Sequence, residues 1–187
     1  MSVREWEGLQ IPTAGDFVLD QAHTRVGFVV RHMMVSKVRG HFGEFEGKIV
    51  IAENPLESSV EAVIKAASID TGVADRDAHL RSDDFLSADK FPEITFRSKR
   101  IAEHSGNEFK VVGDLTIRDV TKEVTLDVEF GGAATNPWGK HIFGFSAKTE
   151  IDREDFGLTW NQALETGGVL VGKKVTIEIE GEAVRAE

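Results

Sequence analysis

The chain has 187 residues, with 22 Lys and Arg against 32 Asp and Glu, a formal net charge of −10, 41% hydrophobic residues and no cysteine. That size fits one globular domain with a full core, and no apolar run is long enough for a membrane span. The acidic balance opposes partners held by phosphate neutralisation, so nucleic acid is set aside. Anionic membrane surfaces are set aside too, because no cluster of Lys and Arg offsets the repulsion. Without thiols there are no disulfides, thiolate metal sites or cysteine nucleophiles.

From the amino terminus, MSVREWEGLQIPTAGDF shows no apolar stretch behind a basic region, which reads as a cytoplasmic protein. Residues 1–15 read as an arm, with Trp6, Leu9 and Ile11 free to dock on a body formed by residues 16–187. Strand-like alternation then follows at Asp16 to Asp20, Arg25 to His32, Phe42 to Ile51 and Val60 to Ala66. One helical stretch, about Asp75 to Leu86, is bounded by Thr71-Gly72 and Pro92. Strands resume at Ile94 to Ile101, Val111 to Ile117, Glu123 to Phe130, His141 to Ile151 and Val175 to Glu180. Alternation turns Leu115, Ile117, Val124, Leu126, Val128 and Phe130 inward, and Arg118 to Thr121 join two of these runs as a hairpin.

Short strands in series, each with one wet face, predict an all-β antiparallel meander closed into a barrel or a sandwich, with the lone helix over one end. An eight-stranded barrel is either filled by side chains or holds one small ligand. Phe28, Phe45, Phe96, Phe143 and Phe145 are bulky inward candidates, whereas Ala62, Ala66, Gly113 and Ala147 leave room.

The chemical motifs are weak. Gly167 to Lys174 nearly spells a phosphate-binding loop, but Lys174 stands where a hydroxyl is needed and a strand follows. Gly40 to Gly47 reads as a turn and bulge. Six histidines lack helical metal spacing, although His23, His32 and His41 lie on successive segments. By alternation His32 shares the inward face of Phe28 and Val30. Arg76-Asp77-Ala78-His79 is either a solvated helix face or a grip on an anionic head group, and Asp152-Arg153-Glu154-Asp155 reads as a turn.

The motifs taken in order resemble the YceI-like, polyisoprenoid-binding family. They are Leu19 to Phe28, Val38-Arg39-Gly40-His41-Phe42, Ser68 to Gly72, Arg76 to Leu80, Phe91 to Phe96, Gly113 to Arg118 and Asp152 to Gly157. The resemblance implies an eight-stranded antiparallel lipocalin-like barrel with a short helix near one end, an elongated interior cavity for an isoprenoid chain, and often a homodimer. The chain departs from the pattern in lacking a signal peptide and in carrying Asp119 where glycine is usual; Asn161 to Gly168 form a longer loop that suits a barrel mouth.

The expectation is therefore a non-catalytic carrier or store for a polyprenyl lipid or isoprenoid quinone, with no cofactor beyond that ligand, no metal, no nucleic acid and no stable membrane insertion. Phe28, Val30, Phe45, Ile64, Phe96, Leu115, Phe143 and Phe145 are expected to line the chain. Phe85, Phe91 and Trp160 are expected at the rim, and His32, Arg76 and His79 near the head group. The rival expectations are a lipid-directed barrel enzyme using His32 or an Asp77–His79 pair, and a filled barrel working through a protein partner.

Overall fold

A computed structural model describes residues 3–162, 164 and 170–186. Strands β1 (Val3–Trp6) and β2 (Leu9–Pro12) form a separate hairpin. They are followed by β3 (Gly15–Leu19), β4 (Arg25–His32), β5 (Ser36–Phe42), β6 (Phe45–Ile51), β7 (Ser59–Lys65) and β8 (Ile69–Asp70). Helix α1 (Ala74–Arg81) precedes β9 (Glu93–Ser105), β10 (Glu108–Ile117), β11 (Val120–Thr135), β12 (His141–Asp152) and β13 (Val171–Arg185).

The hydrogen-bonded order β12-β11-β10-β9-β7-β6-β3-β13 returns to β12, so eight strands close an antiparallel barrel without an edge. Three of these strands are interrupted at one level. Where β3 leaves β13, β4 takes over; β5 continues β6 along β4, and β8 continues β7 along β5.

Each interruption has a local chemical cause. The Asp20 carboxylate accepts from Ala22 N–H at 3.0 Å and winds Gln21–His23 into a 3-10 turn. The Ser68 hydroxyl donates to the Lys65 carbonyl at 2.6 Å across the Ala66–Ser68 turn. Gly43 and Glu44 separate β5 from β6, so the single strand expected over Phe42 to Ile51 is two, and β5 begins at Ser36. Backbone bonds from Gly43 N–H to Ser68 O, 3.0 Å, and from Lys65 N–H to Glu44 O, 2.9 Å, carry the sheet across the line.

Beyond that line β8 is the sheet's last strand, while β7 is the strand that joins β9. Helix α1 and residues 82–91 follow β8 in this gap, and the helix is shorter than the sequence suggests. It stops where Ser82 donates its hydroxyl to His79 O at 2.6 Å, and Leu86 is reached through turns. The β10–β11 hairpin is also tighter than expected: Ile117 faces Val120, and Arg118 takes φ 58°.

The amino-terminal arm is ordered as the β1–β2 hairpin. Trp6 lies 4.8 Å from the His104 ring and 6.3 Å from Phe109, and Ile11 is buried. A small cluster of Phe17, Phe143 and Ala183 packs below, with Phe17 and Phe143 edge to face at 5.0 Å. A larger cluster around Phe85, Ile94, Phe96, Leu115, Ile151 and Phe156 packs toward the helix end.

Candidate functional site

Between these clusters the barrel is hollow. The cavity is about 660 Å³, within the range of small-molecule sites. It extends from Ile11 and Pro12 of the amino-terminal hairpin to His79, Phe85 and Trp160 at the helix end. Alternation explains the apolar wall: every second residue of a barrel strand faces inward, and these are Val124, Leu126, Val128 and Phe130 on β11 and Val175, Ile177 and Ile179 on β13. All seven are only half-buried, the state of an apolar group packed on one side and facing empty space on the other.

Glycines keep this space open. A Cβ on Gly40 would meet the Phe28 ring at 2.4 Å, one on Gly47 would meet Leu19 at 2.4 Å, and one on Gly113 would meet the Phe96 ring at 2.5 Å. The three larger side chains therefore lie flat along the wall over a neighbour without a side chain, instead of projecting across the lumen. Gly40 is directly opposite Phe28 in the β4–β5 register.

Of the residues singled out from sequence, Phe28, Val30, His32, Phe45, Ile64, Arg76, His79, Phe85, Phe96, Leu115, Phe143, Phe145 and Trp160 all lie on this wall. Phe91 does not. The turn that bonds Phe91 N–H to Ser87 O at 2.9 Å carries its ring outside, with the Arg118 guanidinium 5.6 Å from the ring centroid. Of the Asn161 to Gly168 loop, Ala163 and Glu165 to Gly168 lie outside the described residues, as does the start of the near-phosphate-loop motif at Gly167.

The helix end of the cavity is its polar mouth. His79 lies edge to face with Trp160 at 4.6 Å and with Phe85 at 5.1 Å, and its Nε2 is 2.9 Å from an Asp84 carboxylate oxygen. Arg76 donates to the Thr71 hydroxyl at 2.7 Å and to the Thr71 carbonyl at 2.9 Å. The Asp77–His79 pair does not form. Residues two apart on a helix face apart, and Asp77 is buried, accepting from Thr71 N–H at 2.8 Å and Thr71 O–H at 2.6 Å.

Sequence reasoning missed Arg153. It is 4% exposed, lines the cavity, and donates to the carbonyls of Leu158, Gly172 and Val171 at 2.6, 2.8 and 3.2 Å. Its guanidinium stands 5.9 Å from the Phe85 ring centroid. Burial pushes its pKa down from the ordinary arginine value, opposed by the charges of Glu154 and Asp152. Among the described residues no carboxylate lies within 4.0 Å of Arg76 or Arg153, so both cations are held by neutral acceptors at the rim of an apolar space. Nothing in the run Asp152-Arg153-Glu154-Asp155 separates this inward arginine from an ordinary surface turn.

His23, His32 and His41 do not come together at one point. His23 groups with Asp20 and Glu182, their ligand atoms within 4.8 Å of one another on the outer surface, whereas His32 lines the cavity and His41 faces Gly27. No helix among the described residues is long and apolar enough to cross a membrane.

A closed antiparallel barrel with an apolar lumen, a short helix at one end and polar groups beside that helix has the architecture of a lipocalin-like barrel. The YceI-like domain matches residues 17–183, and the chain belongs to that family. A UPF0312 protein of Staphylococcus aureus strain N315 is 43% identical over 169 residues, covering 89% of this chain and 96% of the relative. The crystal structure of the Campylobacter jejuni YceI protein is similar with a TM-score of 0.72 and 36% identity, over 90% of this chain and 97% of that one. A polyisoprenoid binding domain from Saccharophagus degradans, implicated in plant cell wall breakdown, shares the fold at a TM-score of 0.70 and 13% identity, over 93% of this chain and all of that one.

Proposed function

We propose that the barrel holds one long-chain isoprenoid lipid, a polyprenyl species or an isoprenoid quinone, and acts as its carrier or store without chemical change. The observation that carries this reading is the 660 Å³ lumen with half-buried inward side chains, because a filled barrel would enclose them. The S. degradans domain is a precedent for the fold, and the lumen of this chain supplies the rest. The apolar chain lies along β9 to β13, and its polar end sits at the mouth beside Arg76, His79 and Arg153.

An elongated apolar cavity suits cargo that must also be released. Burial is worth about 25 cal/mol per Å² against water, but a prenyl lipid exchanges with a bilayer interior of similar polarity, so the balance stays shallow. His79 is engaged by Asp84 and two aromatic rings, an arrangement that shapes a rim.

The test is organic extraction and mass spectrometry of protein purified without detergent, before and after incubation with prenyl lipids. Ala62 opens on the lumen and is half-buried, so Ala62→Trp fills space while the fold survives. A stoichiometric lipid in the parent and in Lys110→Ala, lost from Ala62→Trp with the melting temperature retained, supports the reading. Equal retention in all three overturns it.

A further inference from the structure

The outer face of β4 and β5 departs from the acidic character of the chain. Residues 25–43 contain Arg25, Arg31, Lys37 and Arg39 and no Asp or Glu, in a protein of net charge −10. Alternation turns Val30, His32 and Val38 to the lumen and leaves Lys37 and Arg39 exposed outside, while Arg31, also exposed, borders the cavity and donates to Met34 O at 3.3 Å. The register sets Arg31 directly opposite Lys37 and Arg39 opposite Val29. Like charges across a ladder repel, and among the described residues none of these cations has a carboxylate within 4.0 Å.

The turn that joins the two strands is as unusual as the faces it joins. It closes with Val35 N–H on His32 O at 3.2 Å, and Met33 and Met34 take φ 53° and 65°. Two consecutive left-handed residues favour Asn-Gly. Here they are methionines, exposed by 44% and 50%, followed by Val35 at 83%. Thus a bare apolar tip sits between basic flanks.

Its position links it to the cavity. Met33 N–H donates to Leu170 O at 2.8 Å, Val171 pairs with His32, Asn161 donates to Val171 O at 2.7 Å, and Trp160 packs on His79. The tip and the cavity mouth form one continuous rim. Among the described acids nearby, Asp152 and Glu154 face Lys174 and Lys173 at 4.0 and 3.6 Å, Asp84 lies 2.9 Å from His79, Asp70 lies opposite His41 at the other end of β5, and Asp75 borders the cavity on the helix side.

We propose that the β4–β5 hairpin docks the protein on an anionic lipid bilayer, with Met33, Met34 and Val35 entering the interface and Arg31, Lys37 and Arg39 meeting the head groups. Flexible apolar methionines beside cations suit that boundary. The net charge does not forbid it. Fields are screened over about 8 Å at physiological ionic strength, so the membrane meets the local patch while the acidic far side lies beyond range. Docking here sets the cavity mouth against the bilayer, which reverses the expectation drawn from overall charge. The surface is independent of what the lumen holds, so docking and cargo are read separately.

The test is flotation of the full chain with phosphatidylcholine vesicles, with and without phosphatidylglycerol, at low and high salt. Binding is expected only with phosphatidylglycerol and to fall with salt. The combined Arg31→Glu, Lys37→Glu, Arg39→Glu variant should lose roughly a hundredfold or more, from about fivefold per cation. Met33→Ser with Met34→Ser and Val35→Ser should weaken binding about tenfold. The same charge change on another face, Lys99→Glu, Lys110→Glu, Lys122→Glu, should leave most of it. Failure of the parent to float on anionic vesicles overturns the proposal, as does equal loss in the two charge variants. Extraction of cargo from the same preparations reports on the lumen, and melting curves confirm folding.

Discussion

The flat placement of Phe28 over Gly40 makes the hollow barrel testable by one methyl group. A Cβ at Gly40 falls 2.4 Å from Phe28 Cζ and 2.9 Å from Cε1, with Thr71 Cγ2 also at 2.9 Å. Carbon atoms prefer 3.5–4.0 Å, so in Gly40→Ala the ring must withdraw by roughly 1 Å, and the open direction is the lumen. Overpacking costs about 1–3 kcal/mol, and with empty space to receive the ring the lower half of that range applies. For a chain of this size each kcal/mol lowers Tm by about 2–4 °C. The displaced ring also narrows the cavity near its mouth, so bound lipid should fall with Tm. The decisive measurement is a double-mutant cycle by chemical denaturation. With Phe28→Ala already present the methyl group meets no ring but still meets Thr71 Cγ2, so the cost of Gly40→Ala should fall by about 1 kcal/mol without vanishing. Gly113→Ala is the internal contrast. Its Cβ would lie 2.5 Å from the Phe96 ring but also 2.6 Å from the Arg97 carbonyl oxygen, which is backbone, so Phe96→Ala should not rescue it. Equal cost of Gly40→Ala with and without the Phe28 ring would refute the account of how the lumen is kept open.

Two further outcomes follow from the mouth and the barrel's outer surface. Arg153→Met keeps an apolar stem but removes the guanidinium from the Leu158 and Gly172 carbonyls and leaves Val171 O to Asn161 alone, so stability should fall by about 2–3 kcal/mol, and protease sensitivity should rise between residues 158 and 172; an effect below about 0.5 kcal/mol would show the clamp to be idle. His23 is pushed up chiefly by its bond to Asp20 and then by the Glu182 charge, and Asp20 is pushed down chiefly by its bond to His23. A raised imidazole stabilises the fold fully below its unfolded pKa of about 6.5 and loses that as pH rises through the folded value. A lowered carboxyl stabilises above about 4 and loses that as pH falls through its folded value. The stability gap between the parent and His23→Gln should thus be wider at about pH 5.5 than at about pH 8.5; an equal gap at both would show that charge plays no part.

Period two was plain along Glu123 to Phe130 and Val175 to Ile179, because a barrel strand faces apolar lumen on one side and water on the other, and the inward residues named there do line the cavity. Strand β5 was hidden. Its inward positions include Gly40, whose missing side chain serves Phe28 on the neighbouring strand, and its outward positions are basic, so the apolar rhythm fades. Phe91 misled because aromatic character near a helix says nothing about which way a turn points it. Arg153 was invisible because its partners are carbonyls, and a carbonyl belongs to every residue. The amino-terminal residues gave apolar docking points, while their pairing as a hairpin that caps the lumen depends on Trp6 meeting His104 and Phe109 nearly a hundred positions away.

By itself the sequence determined an all-β antiparallel meander, its inward faces and its family, since alternation and motif order are local properties of a chain. The tertiary structure alone decided that the barrel encloses a cavity instead of a filled core, that Arg76 and Arg153 both border it, and that Arg31, Lys37 and Arg39 form one patch beside an apolar tip. Volume and charge density are sums over residues distant in sequence, and only closure of the sheet brings them together.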